Sequence, residues 1–172
     1  MIGREGVGMN SFLEPAGPVA QKLADPMEIA LAEAIAAGVR GEVPVGAVVL
    51  GPAGDLLAQA GNRVEAENDA CAHAELLALR AAASAAGNAR LPNCDLWVTL
   101  EPCPMCASAA ALFRIRRIVF GAYDPKGGGI EHNSRVFDRP GALPVPEIIG
   151  GVRAAECGAL LTSFFQAKRQ QD

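Results

Sequence analysis

Residues 94–122 read CDLWVTLEPCPMCASAAALFRIRRIVFGA. The first run, CDLWVTL (94–100), and the last, RIVFGA (117–122), are short, apolar and rich in strand formers. Between them residues 104–113 are alanine-rich, open on Pro104 and have the length of a short helix. Strand, helix and strand in so short a span predict a βαβ unit, with two parallel strands and the helix crossing one face. Near-continuous apolar strands of this kind belong to sheets covered on both sides.

Upstream, Asp25-Pro26-Met27-Glu28 supplies an N-cap, a proline at the first helical position and an early acid. Met27, Ala30, Leu31, Ala34 and Ile35 then form one apolar helix face before Gly38 and Gly41. The stretch VPVGAVVLGPAGDLLAQAGN (43–62) is two apolar runs around a Pro-Ala-Gly-Asp turn, which predicts a hairpin. Residues 72–86 read as a helix stopped at Gly87. Downstream, 123–146 is loop-like, PEIIGGV (146–152) offers a last short strand, and 154–169 a final amphipathic helix. The expectation is an α/β fold: three layers, α/β/α, around a mixed five-stranded sheet.

A chain of 172 residues fits one domain, expected over 25–172. Residues 1–24 are punctuated by Gly and Pro, lack the apolar core of a secretory signal, and read as a disordered lead. An apolar fraction of 51% excludes a disordered chain, and no span resembles a membrane helix. The net charge of -4 excludes a global attraction to nucleic acid, although the cations gathered between Arg114 and Arg169 leave a local basic face open. Five cysteines, two of them spaced C-x-x-C, without an export signal favour metal or redox chemistry in a reducing, cytoplasmic compartment over a disulfide framework.

The chemistry-bearing residues are His73 and Glu75 in CAHAELLALR (71–80), and Cys103 and Cys106 in TLEPCPMCASAA (99–110). Each pair stands where a predicted helix begins. Residues two apart do not share a helix face, yet both can address a point beyond the helix N-terminus. Two such N-termini aimed at one point create a positive field that favours thiolates. One imidazole and two thiolates suit zinc, and three protein ligands leave a position for water. Glu75, unneeded as a ligand, is then available to move protons. Two other readings compete at this point: a redox cysteine pair, and a closed structural zinc site recruiting Cys71 as fourth ligand. Cys71 itself reads as a small buried group. The combination H-x-E…P-C-x-x-C is the signature of zinc-dependent base deaminases.

EVPVGAVV (42–49), AGNR (60–63), AHAE (72–75), LEPCPMCA (100–107), RIVFGAYDPKGG (117–128) and LLTSFFQAKR (160–169) follow one another in an order and spacing that resemble the bacterial tRNA-specific adenosine deaminases. The likeness runs over residues 25–170 and implies a cytidine deaminase-like fold. It implies one zinc per subunit, held by His73, Cys103 and Cys106, with Glu75 passing protons while the wobble adenosine of a tRNA anticodon loop becomes inosine. It implies that Asn62 reads the purine edge and that Val43, Pro44 and Leu100 wall the base pocket. Asp124 and Lys126 would approach the flanking nucleotides, and Phe164, Phe165, Lys168 and Arg169 would border the RNA groove. Without the likeness Asn62 is a turn residue, Val43, Pro44 and Leu100 are core, and Phe164 and Phe165 a buried aromatic pair. The implied partners are a tRNA anticodon stem-loop and a second copy of the chain, and ASAAALF (107–113) offers small apolar residues for such a homodimer. The chain departs from the family pattern at GGGIEHNSRVFD (127–138) and GALPVPE (141–147). A deaminase of free guanine or cytosine, and a non-catalytic zinc or RNA-binding module, are the competing functions; assays on a stem-loop and on free bases separate them.

Overall fold

The structure, a computed structural model, describes residues 25–138, 141 and 144–170. The lead expected over 1–24 lies outside the described residues. Helix α1 (Pro26–Val39) begins as its sequence demands: the Asp25 side chain accepts from the Met27 N–H at 3.0 Å, and Pro26 occupies the first turn. The hairpin follows as β1 (Gly46–Leu50) and β2 (Leu56–Gly61), antiparallel, with Ala47 opposite Ala60. A one-turn helix, α2 (Val64–Glu67), precedes α3 (Ala74–Ala86), which ends at Gly87. Then come β3 (Asp95–Leu100), α4 (Pro104–Leu112), β4 (Arg117–Ala122), a 3-10 turn at Val136–Asp138, β5 (Glu147–Ile149) and α5 (Ala154–Lys168).

The five strands form one sheet in the order β2-β1-β3-β4-β5. β1 is antiparallel to both neighbours, whereas β3, β4 and β5 run parallel. The mixed sheet and its βαβ centre match the sequence reading. Every residue of β1 is buried, because alternate side chains enter different cores. Ala47 and Val49 join Leu96, Val98, Ile118 and Phe120 on the side covered by α3 and α4. Val48 and Leu50 join Met27, Leu31 and Cys157 on the side of α1 and α5. The alanines let these helices lie close. A Cβ at Gly46 would overlap the Ala30 carbonyl oxygen and the Ala34 nitrogen of α1, so only glycine fits there.

Three expectations are corrected. Ile35, assigned to the buried face of α1, is 52% exposed; Ala37 is buried in its place. The last strand is confined to Glu147–Ile149, since Gly150 and Gly151 leave the ladder. Phe164 and Phe165 touch edge to face at 5.4 Å but are not a buried pair: Phe164 is half-buried and Phe165 exposed, at the open end of α5.

Candidate active site

The site forms where the parallel strands end and two helices begin. His73 is the N-cap residue of α3 and Cys103 that of α4, both in extended backbone and neither using its side chain as a cap. Cys106 lies one turn into α4, behind Pro104. The crossing of α4 back over the sheet brings that turn against α3. The Sγ atoms of Cys103 and Cys106 are each 3.6 Å from Nδ1 of His73, and the three donor atoms lie within 4.8 Å of one another. Tetrahedral zinc, with bonds of about 2.3 Å to sulfur and about 2.0 Å to nitrogen, separates such donors by about 3.5 Å. The donor set therefore fits one zinc ion. Cys71 is exposed, contrary to expectation, and is not part of the cluster: it lies in the loop before α3, where its N–H is held by Asp69.

The electrostatics agree. Cys103 is pulled down to about 4, first by the hydrogen bond from Cys106 and then, against burial, by His73. Cys106, next to that thiolate and itself buried, is pushed up. His73 is raised, chiefly by its hydrogen bond to Cys103. Two thiols that cannot both ionise alone are what a cation would release. Glu75, in the first turn of α3, is 4% exposed, and burial pushes its carboxyl up to about 7.

These groups open into a pocket of about 390 Å³, large enough for a nucleobase. Val43, Val45 and Leu100 give it apolar walls, and His73, Glu75 and Cys103 its floor. Asn62 stands on one side with its backbone N–H on the Val45 carbonyl and its own carbonyl accepting from Arg40. Its Oδ1 accepts from the Ala74 N–H at 2.8 Å, so the amide NH2 is the group left for a ligand. Asp124 and Lys168 also line the pocket. Pro44 does not: it is buried, with its Cβ toward Gly38 of α1, because neighbours in extended chain point to opposite sides. Lys126 and Arg169 are exposed outside the pocket, and Lys168 Nζ sits 5.5 Å from the centre of the Phe164 ring.

Sequence reasoning missed two buried carboxylates. Glu42 accepts the N–H groups of Glu65 and Ala66 at the start of α2. Glu101, between Leu100 and Cys103, gathers the loop after β4.

An open-sided His-Cys-Cys centre, a free buried glutamate beside it and a base-sized pocket on an α/β/α sheet define a zinc-dependent deaminase. The chain belongs to that family: the model of the cytidine and deoxycytidylate deaminase zinc-binding region matches residues 20–122. It is 47% identical over 146 residues to the tRNA-specific adenosine deaminase of Agrobacterium fabrum, covering 85% of this chain and 95% of that one. A solved structure from studies of A-to-I editing by tRNA deaminases at the wobble position of transfer RNA superposes with a TM-score of 0.77 at 47% identity, over 79% of this chain and 98% of that one. The guanine deaminase of Bacillus subtilis superposes with a TM-score of 0.54 at 28% identity, over 84% and 92% of the two chains.

Proposed function

We propose that this chain hydrolyses the exocyclic amine of the wobble adenosine in a tRNA anticodon loop, leaving inosine and ammonia. The observation that carries the reading is the 47% identity, over 95% of its length, to a relative named tRNA-specific adenosine deaminase. The lower identity and looser superposition of the guanine deaminase weigh against a free-base substrate.

His73, Cys103 and Cys106 would hold zinc, which when bound would supply Lewis-acid activation of a water molecule. The chain's residues do the rest. Val43, Val45 and Leu100 enclose the base, and the Asn62 NH2 donates to the purine edge. Glu75 takes a proton from the attacking water and delivers it to N1 of adenine. The bond from oxygen to C6 forms, Glu75 takes the second proton from the new C6 hydroxyl and passes it to the amine, and the C6–N bond breaks to release ammonia and leave the C6 carbonyl. Lys168 lies at the mouth, with Lys126, Arg169, Phe164 and Phe165 on the surface around it as the RNA-facing set. A base reaches such a pocket only when turned out of its stack, which costs least in a loop.

The deaminase domain runs over 25–172, and two copies pair through α4. Met105, Ser108, Ala109 and Leu112 recur at helical spacing on its outer side, and Leu112 is 64% exposed, which supports such a contact. The setting is cytoplasmic, where tRNA is; no helix among the described residues is long and apolar enough to cross a membrane.

The test is direct. Purified zinc-loaded protein should convert adenosine to inosine in an anticodon stem-loop, read by mass, and act negligibly on free adenosine, guanine or cytosine. Ready turnover of guanine or cytosine with an untouched stem-loop would overturn the reading.

A further inference from the structure

Four backbone N–H groups and a histidine converge on the carboxylate of Glu101, whose side chain is fully buried. Oε1 accepts from Ile130 at 3.2 Å, Glu131 at 2.8 Å and His132 at 2.9 Å. Oε2 accepts from the Asp124 N–H at 3.1 Å and lies 2.8 Å from Nδ1 of His132. The next residue, Pro102, accepts from the Gly129 N–H at 2.8 Å. The loop 124–132 is thus folded back onto the short segment that ends in the metal ligand Cys103. It wraps closely: a Cβ at Gly128 would come within 2.6 Å of both the Asp124 carbonyl oxygen and Glu101 Cδ. One end of this loop, Asp124 and Gly127, lines the base pocket.

We infer that Glu101 is a positioning residue: it fixes the pocket wall carrying Asp124 relative to Cys103, and so sets how tightly the nucleotides beside the target base are held. The inference rests on the tRNA reading above for its substrate, but its structural content does not. A buried carboxylate is costly unless every lone pair is used, and here both oxygens accept hydrogen bonds. An amide cannot take the same load. With its oxygen kept at the three-donor position, its NH2 replaces Oε2. His132 adapts by presenting an unprotonated Nδ1, whereas the Asp124 N–H then meets a donor. Glu101→Gln therefore releases the loop selectively at Asp124, on the pocket side, and leaves the donor cluster of His73, Cys103 and Cys106 untouched. Glu101 touches no reacting atom, so the loss falls on substrate positioning more than on the chemical step.

The experiment uses the full zinc-loaded chain carrying Glu101→Gln or, separately, Gly128→Ala, which keeps the carboxylate but pries the loop from it. Zinc content, kinetics on an anticodon stem-loop, and amide hydrogen exchange over residues 124–132 are measured. Both variants should retain one zinc per chain and show KM raised about tenfold with kcat lowered much less; exchange should quicken at Asp124 alone in Glu101→Gln, and at Asp124 and Ile130–His132 in Gly128→Ala. Loss of zinc, a fall in kcat at unchanged KM, or unaltered exchange in the loop would each overturn the inference. If Glu101→Gln does not fold, Gly128→Ala decides by the same split. Should the wild-type protein ignore the stem-loop, the tRNA reading fails, and the exchange measurement still judges the role of Glu101.

Discussion

Replacing Glu75 by Gln keeps the size of the side chain and removes its capacity to carry a proton. The structure says how much depends on that capacity. Glu75 is not among the three donors that meet at the metal position, so zinc should remain at one per chain. Its carboxyl, pushed up by burial to about 7, is matched to proton transfer near neutral pH. Three of the other acids that line the pocket are already engaged. Glu42 and Glu101 are committed to backbone N–H groups, and Asp124 holds the N–H groups of Lys126 and Gly127 with Oδ1. The loss is therefore the full contribution of a positioned acid-base group, about 10²–10⁴-fold in kcat, or about 3–5 kcal/mol of barrier. The assay is steady-state turnover of an anticodon stem-loop, with zinc content and melting temperature on the same samples. The pH profile adds a sign. A bound dication lowers the Glu75 value by favouring the carboxylate, so wild-type turnover should fall as pH drops through a pKa at or below about 7, and the variant's residual rate should lose that limb. A Gln variant that keeps more than a few per cent of the wild-type rate would refute the proton role.

Cys103→Ser should lose zinc and melt at lower temperature, because Cys103 joins the start of α4 to that of α3 through the metal; elemental analysis showing full zinc retention would contradict this. Charge reversal at Lys168 and Arg169 should raise the stem-loop KM without changing zinc content, and wild-type binding should weaken only shallowly with salt, since few phosphates are neutralised; an unchanged KM would remove both residues from the RNA-facing set. Gly46→Ala should cost about 1–3 kcal/mol in denaturant unfolding, as the new Cβ overlaps the α1 backbone; a neutral result would mean that α1 shifts freely over β1. Sedimentation at micromolar concentration should show a dimer, and an active monomer would dispose of pairing through α4.

The sheet and the metal centre were legible because both are written in short-range patterns. Strand-length apolar runs and an alanine-rich crossing between 94 and 122 admit one parallel unit, and the His-x-Glu and Cys-x-x-Cys pairs sit at helix starts, the second marked by Pro104 in its first turn. What was not legible depended on contacts distant in sequence. Ile35 satisfies the periodicity of α1, yet which flank of a broad apolar stripe meets the sheet is decided by the close approach at Gly46. Pro44 was assigned to the pocket by likeness, but the alternation of extended chain gives the wall to Val43 and Val45. Glu101 was invisible because its partners lie 23 to 31 residues away, in a loop whose glycines and charges carry no period.

The acidity of the pocket follows from the same contacts. Glu42, Glu65, Glu75, Glu101 and Asp124 all lie around a site proposed to accept a polyanion, with Lys168 the single cation among its lining residues. Taken as free charges they would repel RNA. Two of them are not free: Glu42 is spent on the first N–H groups of α2, and Glu101 on four N–H groups of the loop after β4. Each neutralises backbone dipoles that would otherwise be orphaned. At the pocket floor the N-termini of α3 and α4 add a positive field, which favours thiolates. On the proposed tRNA reading a neutral base would enter that space, whereas phosphates would be repelled by Asp124 and drawn to the cations on α5 and the exposed loop. On that reading the charge distribution would sort one nucleotide into its two parts: base inward, backbone outward. A free base has no backbone to sort, and a chain acidic overall still has reason to keep Lys168 and Arg169 together at the rim.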